Sequence, residues 1–258
     1  MSKRILVVGN WKMNPATLEE ARTIIRKVRH AATELSHTDV VMCPPFIFIA
    51  AGSHRTDSSS HTYLGAQSVS SHREEGSYTG EVGIHMLRDM EVQYVIAGHS
   101  EERARGLNDV EVSRRVAAIV HEGLTAIVCV GEHVRDEGGV YLDTLKEQIK
   151  NSLADVPVKS AKDVVIAYEP VWAIGAQQAM NPEQVYEMVL FVKKVFADLF
   201  GQDIAMKMKV LYGGAVNAEN AADIIRIGKA DGLLVGRESI RPEGFAELLK
   251  AVDTISDK

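Results

Sequence analysis

The chain has 258 residues, of which 46% are hydrophobic and 25% charged, a composition typical of a globular protein and not of a disordered or fibrous one. Its formal net charge of -6 disfavours nucleic-acid and anionic-membrane partners, because a negative surface repels both. The length suits one large α/β domain, and we expect a single domain over residues 1–258.

Targeting signals and disulfides are not expected. The N-terminal stretch MSKRILVVGNWK has too short an apolar run for a signal peptide, and no segment approaches the roughly 18 apolar residues of a membrane span. Cys43 and Cys129 both lie in apolar runs, which predicts buried free thiols. We therefore expect a cytoplasmic protein.

Short apolar runs recur along the chain, about 30 residues apart, the size of a strand-helix-strand unit. They lack hydrophobic-polar alternation, which favours strands buried on both faces of a parallel sheet. The runs are Ile5–Val8, Val40–Cys43, Tyr63–Ala66, Tyr94–Ala97, Ala126–Val130, Val164–Tyr168, Val210–Tyr212 and Leu233–Val235.

Helix signals lie between these runs. The segment Thr17–Glu20 is typical of a capping box, and Asn181–Glu183 offers a cap residue followed by proline. Apolar residues then step by four and three along one helix face: Val185, Val189, Val192, Phe196 and Leu199. Eight strand-helix units in this length predict a (β/α)8 barrel, with a doubly wound open sheet as the alternative.

The connection after the third predicted strand, Ser68–Gly83, is longer and more polar than its neighbours. It reads SVSSHREEGSYTGEVG. A solvated surface loop and an arm that docks on a partner are both consistent with this composition.

Polar groups follow several of the predicted strands. Asn10 and Lys12 follow the first, His99 the fourth and Glu169 the sixth. In a barrel the carboxyl ends of all strands face one mouth. A surface lysine or a satisfied buried histidine would explain each residue alone, but their convergence predicts an active site. Glycine turns at Gly213–Gly214 and Gly236 offer backbone N–H groups to an anion.

Four segments closely resemble triosephosphate isomerase, and they occur in the right order along the whole chain. They are GNWKMN (Gly9–Asn14), GHSEE (Gly98–Glu102), AYEPVWAIG (Ala167–Gly175) and YGGAVN (Tyr212–Asn217). The resemblance implies a homodimeric TIM barrel that interconverts dihydroxyacetone phosphate and glyceraldehyde 3-phosphate in glycolysis and gluconeogenesis. It also implies that neither a metal nor a cofactor is needed.

By motif position, the resemblance implies that Glu169 is the general base that removes the proton beside the carbonyl. Lys12, Asn10 and His99 would stabilise the enediolate, with His99 passing protons between its oxygens. These side-chain types suit the chemistry, because an α-proton needs a placed base and donors at the oxygen that gains charge. A helix that begins at Ser100 would keep His99 neutral.

The segment Pro170–Met180 resembles a lid that closes over the substrate phosphate and excludes water. The implied phosphate-binding residues are Asn10, Lys12, Gly175, Ala215, Gly236 and Arg237, and the implied supporting residues are Glu101, Tyr212 and Ser100.

Several positions depart from the family pattern. Ala176 and Gln177 replace the threonine and glycine of the usual lid, which predicts a stiffer hinge on its C-terminal side. Ala215 replaces a serine and loses a hydroxyl, so that Tyr212 remains as the latch. Arg237 replaces a glycine; its side chain either points outward or adds a charge near the phosphate, where it could admit a longer ketose phosphate.

The arm also departs from the pattern. Thr79–Glu81 matches the usual loop tip, but Glu102 stands where arginine is common and Asn108 where an acidic partner is common. Arg103 is retained. We therefore expect a dimer whose arm is held by a different network.

Three other functions remain open at this point. An isomerase of a four-carbon ketose phosphate would use the same groups, a Schiff-base aldolase would use Lys12, and a silent sugar-phosphate binding protein would use none of them catalytically.

Overall fold

The computed structural model describes residues 4–53, 61–174 and 179–255. Its parallel strands pair in chain order and close into a barrel. The strands are β1 (Ile5–Asn10), β2 (Thr38–Cys43), β3 (Thr62–Ala66), β4 (Tyr94–Ala97), β5 (Thr125–Val130), β6 (Val164–Tyr168), β7 (Lys209–Tyr212) and β8 (Gly232–Val235).

Helices surround the barrel in the described part of the chain. They are α1 (Leu18–Ala32), α2 (Ile49–Gly52), α3 (Ile84–Asp89), α4 (Ser100–Arg103), α5 (Asp109–His121), α6 (Val140–Ser152), α7 (Pro182–Phe200), α8 (Gln202–Lys207), α9 (Ala218–Arg226) and α10 (Pro242–Asp253). Short 3-10 turns occur at Phe46–Phe48, Val158–Asp163, Val171–Ala173 and Arg237–Ile240.

The pairing of the first and last strands decides the fold class. In it, Leu6 lies opposite Gly232 and Val8 opposite Leu234. This pairing closes the sheet, so the predicted (β/α)8 barrel is confirmed and the open-sheet alternative is wrong. Each predicted apolar run lies within an observed strand, although β1 and β2 each extend two residues further.

The apolar runs lack alternation because both faces of each strand are buried. Successive side chains of a strand point to opposite faces, so Leu6 and Val8 fill the barrel while Val7 packs against the helices. Cys43 and Cys129 lie inside the barrel as free thiols, as predicted.

The predicted helix starts are also observed. Thr17 accepts a hydrogen bond from the backbone N–H of Glu20 at 3.3 Å, and Asn181 accepts one from Glu183 at 2.9 Å. Within the described residues, no helix is both long and apolar enough to cross a bilayer.

Barrel closure can be tested at Gly232. A Cβ atom there would lie 1.9 Å from the backbone oxygen of Leu6, so we expect Gly232→Ala to force the two strands apart and lower the free energy of unfolding by about 1–3 kcal/mol. A Cβ atom at Gly83 would meet nothing within 4 Å. Gly83→Ala is therefore expected to change the free energy of unfolding by less than about 0.5 kcal/mol. Denaturant unfolding measures both, and equal effects would contradict the closure described above.

Candidate active site

The loop after β1 holds Lys12 in an unusual backbone conformation. Lys12 has φ 54°, in the left-handed region that residues other than glycine rarely adopt. Its N–H donates to Asn10 Oδ1 at 3.1 Å, and its carbonyl accepts from Gln67 Nε2 at 2.8 Å. Such strain persists only where surrounding contacts enforce it, and it concentrates at functional sites.

The ammonium group of Lys12 is held by Glu101 on α4. Lys12 Nζ lies 2.5 Å from Glu101 Oε1. Burial alone would raise the pKa of Glu101, but the hydrogen bond and the charge of Lys12 lower it overall. Glu101 therefore stays ionised and fixes the lysine at the barrel mouth.

His99 links α4 to the end of β6. It is the N-cap of α4, and its Nδ1 accepts a hydrogen bond from the backbone N–H of Glu101 at 3.2 Å. Its Nε2 lies 3.2 Å from Glu169 Oε1. Because Nδ1 is an acceptor, the proton of a neutral His99 lies on Nε2 and points at the carboxylate.

Opposing effects act on the protonation of His99. Burial lowers its pKa, and so does the charge of Lys12, but the charge and hydrogen bond of Glu169 raise it and prevail. The predicted helix does begin at Ser100, yet α4 is only four residues long. The amide at Nδ1 favours neutral imidazole, while the Glu169 carboxylate favours imidazolium as long as the two groups touch.

Glycines make room for Glu169, which follows β6 directly and is 3% exposed. A Cβ on Gly131 would lie 1.8 Å from the Glu169 carbonyl oxygen, and one on Gly213 would lie 2.8 Å from Glu169 Cγ. Glu169 also affects Cys129. Burial raises the pKa of the Cys129 thiol most, and the charge of Glu169 raises it further. Glu169 Oε2 is buried and has no hydrogen-bond partner among the described residues, so its acceptor positions are unused.

The four predicted catalytic residues share one cavity of about 1010 Å³, with Glu101 also in its wall. Predicted phosphate-site residues from the ends of β7 and β8 line it as well: Ala215, Gly236 and Arg237. Ser100 lies instead in a small cavity with Glu169 and Cys129. Gly175, Ala176 and Gln177 lie outside the described residues. No group of three metal-ligating side chains occurs within the described ranges.

Both described ends of the lid segment are anchored. Trp172 Nε1 donates to Glu132 Oε1 at 3.0 Å, and Tyr168 Oη donates to the same oxygen at 2.8 Å. On the other side, Tyr212 Oη accepts from the Met180 N–H at 3.0 Å.

Sequence reasoning missed two residues that shape this site. Glu132 is 2% exposed and follows Gly131 at the end of β5, so a carboxylate at a strand end was an available signal. Gln67 bonds the backbone of Lys12, but the sequence around it carries no comparable signal.

The first residue of the arm Ser68–Gly83 is hydrogen-bonded to an ion pair between α4 and α5. Arg115 Nη1 lies 3.0 Å from Glu102 Oε1, and Ser68 Oγ donates to the same oxygen at 2.8 Å. Asn108 caps α5 by accepting from Glu111 N–H at 2.9 Å.

Arg103 lies beneath the site. It donates to the Gly98 carbonyl at 2.7 Å and to Ser152 Oγ at 3.0 Å, and it pairs with Asp109. It therefore braces the ends of β4 and α6.

Comparisons with known proteins show the family of this chain. The sequence model of triosephosphate isomerase matches residues 5–252. The chain belongs to the triosephosphate isomerase family. It is 37% identical to the triosephosphate isomerase of Endomicrobium trichonymphae over 96% of this chain and 98% of that protein. The corresponding protein of Thermus thermophilus is 38% identical over 96% and 98%, and that of Fusobacterium nucleatum 36% over 96% and 99%.

The contact between His99 and Glu169 leads to a testable prediction about the pKa of His99. We expect the pKa of His99 to lie above its ordinary value of about 6.5 in the unliganded protein. In Glu169→Gln the pKa of His99 should fall below that value. The carboxylate charge that raises the pKa is lost, while burial and the charge of Lys12 still lower it. NMR titration of the imidazole measures both, and Glu147→Gln, on the surface of α6, is the matched control. A pKa that does not fall in Glu169→Gln would contradict the assigned cause.

Proposed function

We propose that this chain interconverts dihydroxyacetone phosphate and glyceraldehyde 3-phosphate, with Glu169 as general base. The observation that carries the proposal is the buried pair of Glu169 Oε1 and His99 Nε2, 3.2 Å apart, in a cavity that Lys12 and Asn10 also line. Aldose-ketose isomerisation through an enediolate can be catalysed by a base, a proton donor and groups that stabilise negative charge, and this cavity contains all three.

In the first step, Glu169 removes the proton from the carbon beside the carbonyl, and the released electron pair forms an enediolate. Returning that proton to the neighbouring carbon gives the other isomer. His99 Nε2–H donates to the oxygen where charge develops and passes protons between the two oxygens. Lys12 and Asn10 stabilise the same charge, since an ammonium bonded to Glu101 still has further N–H donors.

Substrate must separate Glu169 from His99, because 3.2 Å leaves no room for a carbon skeleton between them. Separation removes the contact that raises the pKa of His99, while burial and Lys12 continue to lower it. The imidazole then becomes neutral when the reaction needs a neutral donor. Glu169 directly precedes the lid Pro170–Met180, so lid closure moves the base together with the cover.

The phosphate group lies, in this proposal, at the ends of β7 and β8. Backbone N–H groups near Ala215 and Gly236 bind it, the lid adds the N–H of Gly175, and Arg237 adds a guanidinium from the same cavity. Closure excludes water, which strengthens these interactions and protects the enediolate phosphate.

We further propose a homodimer formed through the arm Ser68–Gly83, and a cytoplasmic location. Residues 72–81 of the arm are exposed, and His72 and Tyr78 stack within it, with ring centroids 3.6 Å apart. The two buried cysteines are free thiols, which suits a reducing compartment.

The role of Glu169 is tested by Glu169→Asp, which shortens the base and keeps its charge. Turnover of glyceraldehyde 3-phosphate in a coupled assay should fall by about 10²- to 10⁴-fold, while affinity for inorganic phosphate stays nearly unchanged. The matched control is Glu147→Asp, which should behave as wild type. Unchanged turnover in Glu169→Asp would remove Glu169 from this role.

Arg237 motivates a second candidate, an isomerase of a four-carbon ketose phosphate, because a cation in the cavity wall adds charge that a glycine lacks. We expect Arg237→Gly to raise the KM for triose phosphate about tenfold, the loss of one charge-assisted hydrogen bond, with kcat retained. An unchanged KM would place the guanidinium away from the phosphate.

A higher kcat/KM for a four-carbon ketose phosphate than for triose phosphate in the wild type would favour the second candidate.

A further inference from the structure

Neighbouring residues of α4 face two different networks. Glu101 binds the ammonium of Lys12 at 2.5 Å. Glu102, the next residue, accepts from Ser68 Oγ at 2.8 Å and pairs with Arg115 at 3.0 Å. Arg115 Nη1 also donates to Ser68 Oγ at 2.7 Å. Three polar groups from α4, α5 and the first residue of the arm therefore fix one another.

The residue before Ser68 connects this network to the catalytic loop. Gln67 Nε2 donates to the carbonyl of Lys12 at 2.8 Å and to that of Cys43 at 2.9 Å. The Lys12 backbone needs such support, since its φ of 54° is unfavourable for a residue with a side chain. A shift of Ser68 moves Gln67 with it, because the two share a peptide bond.

The ion pair itself is a poor source of stability. The side chains of Glu102 and Arg115 are only 19% and 14% exposed, so both charges lose much of their hydration. Glu102 Oε2 and Arg115 Nε are buried and have no hydrogen-bond partner among the described residues. A buried pair with unfilled polar atoms contributes little net stability, and a positional role is the better account of it.

The pair also lies close to the reacting groups. Glu102 and Arg115 line a cavity of about 320 Å³ whose wall also includes Asn10, Lys12 and His99. The hydrogen bonds that join the pair to the Lys12 backbone run through Ser68 and its neighbour Gln67, so a displacement at the pair reaches Lys12 through these two residues.

We propose that the Glu102–Arg115 pair is a positioning device for Lys12, acting through Ser68 and Gln67. The pair fixes the position of Ser68, and Ser68 fixes that of its neighbour Gln67. The hydrogen bond from Gln67 to the Lys12 carbonyl then holds Lys12 in its left-handed backbone conformation. This inference rests on the proposed role of Lys12 in the isomerisation. Glu102 and Arg115 do not line the cavity that holds Glu169 and His99.

A purely structural role would give a different kinetic signature. Loss of folded or dimeric protein lowers the active fraction, so the apparent kcat falls while KM stays constant. A displaced Lys12 weakens both substrate and transition-state binding, so KM rises and kcat falls together. Raising the protein concentration restores activity that is lost through dissociation and leaves the positional effect unchanged.

The experiment compares four variants of the full chain with triose phosphate as substrate. Glu102→Leu removes the acceptor, Ser68→Ala cuts the link while leaving the ion pair, and Glu102→Gln keeps an acceptor oxygen at the same place. Asp231→Asn is the control, because Asp231 forms an ion pair of similar burial with Lys193, 3.0 Å apart, at the opposite end of the barrel strands.

We expect Glu102→Leu and Ser68→Ala to raise KM and to lower kcat/KM by about 10- to 100-fold, the scale of an ångström-sized misplacement, at every protein concentration. Glu102→Gln should recover most of this loss, and Asp231→Asn should lower thermal stability with KM unchanged.

A wild-type KM in Ser68→Ala, or activity of Glu102→Leu that returns fully at high protein concentration, would overturn the proposal. If the wild type itself turned over no triose phosphate, the proposed function would fail instead, so the two failures are distinguishable.

Discussion

The buried contact between Glu169 and His99 is the interaction on which the rest of the site depends. A carboxylate that is 3% exposed is tolerated only because an imidazole lies 3.2 Å away and because glycines leave space around it. Gly131 and Gly213 cannot carry a side chain without displacing Glu169. The glycines after β5 and β7 are therefore as necessary to the base as the strand that presents it.

Barrel closure brings these groups together from distant parts of the chain. Asn10 ends β1, while His99 and Glu169 follow β4 and β6. Pairing of β1 with β8 forces all strand ends around one mouth. The surrounding contacts then prepare each group: Glu101 holds both the Lys12 ammonium and the His99 Nδ1. One short helix, α4, thus orients two of the four proposed catalytic side chains.

Much of this was predictable from the sequence. Unbroken apolar runs such as Val164–Tyr168 indicated strands buried on both faces, and polar residues directly after them indicated the mouth. What the sequence could not supply were contacts between residues far apart in the chain. Gln67 reaches Lys12, and Arg115 reaches Glu102, across sequence distances that no local pattern encodes. The protonation of His99 was hard to predict for the same reason, since it depends on Glu169 as well as on the helix that follows it.

Proton abstraction by a buried carboxylate is the central claim, and isomerisation of dihydroxyacetone phosphate in D2O tests it most directly. A carboxylic acid formed on Glu169 carries a labile proton, which exchanges with D2O in a fraction of turnovers before it is returned to carbon. We expect deuterium on the carbon next to the carbonyl in part of the glyceraldehyde 3-phosphate produced, and loss of this incorporation in Glu169→Gln. A product without deuterium, or equal incorporation by Glu169→Gln, would contradict the central claim.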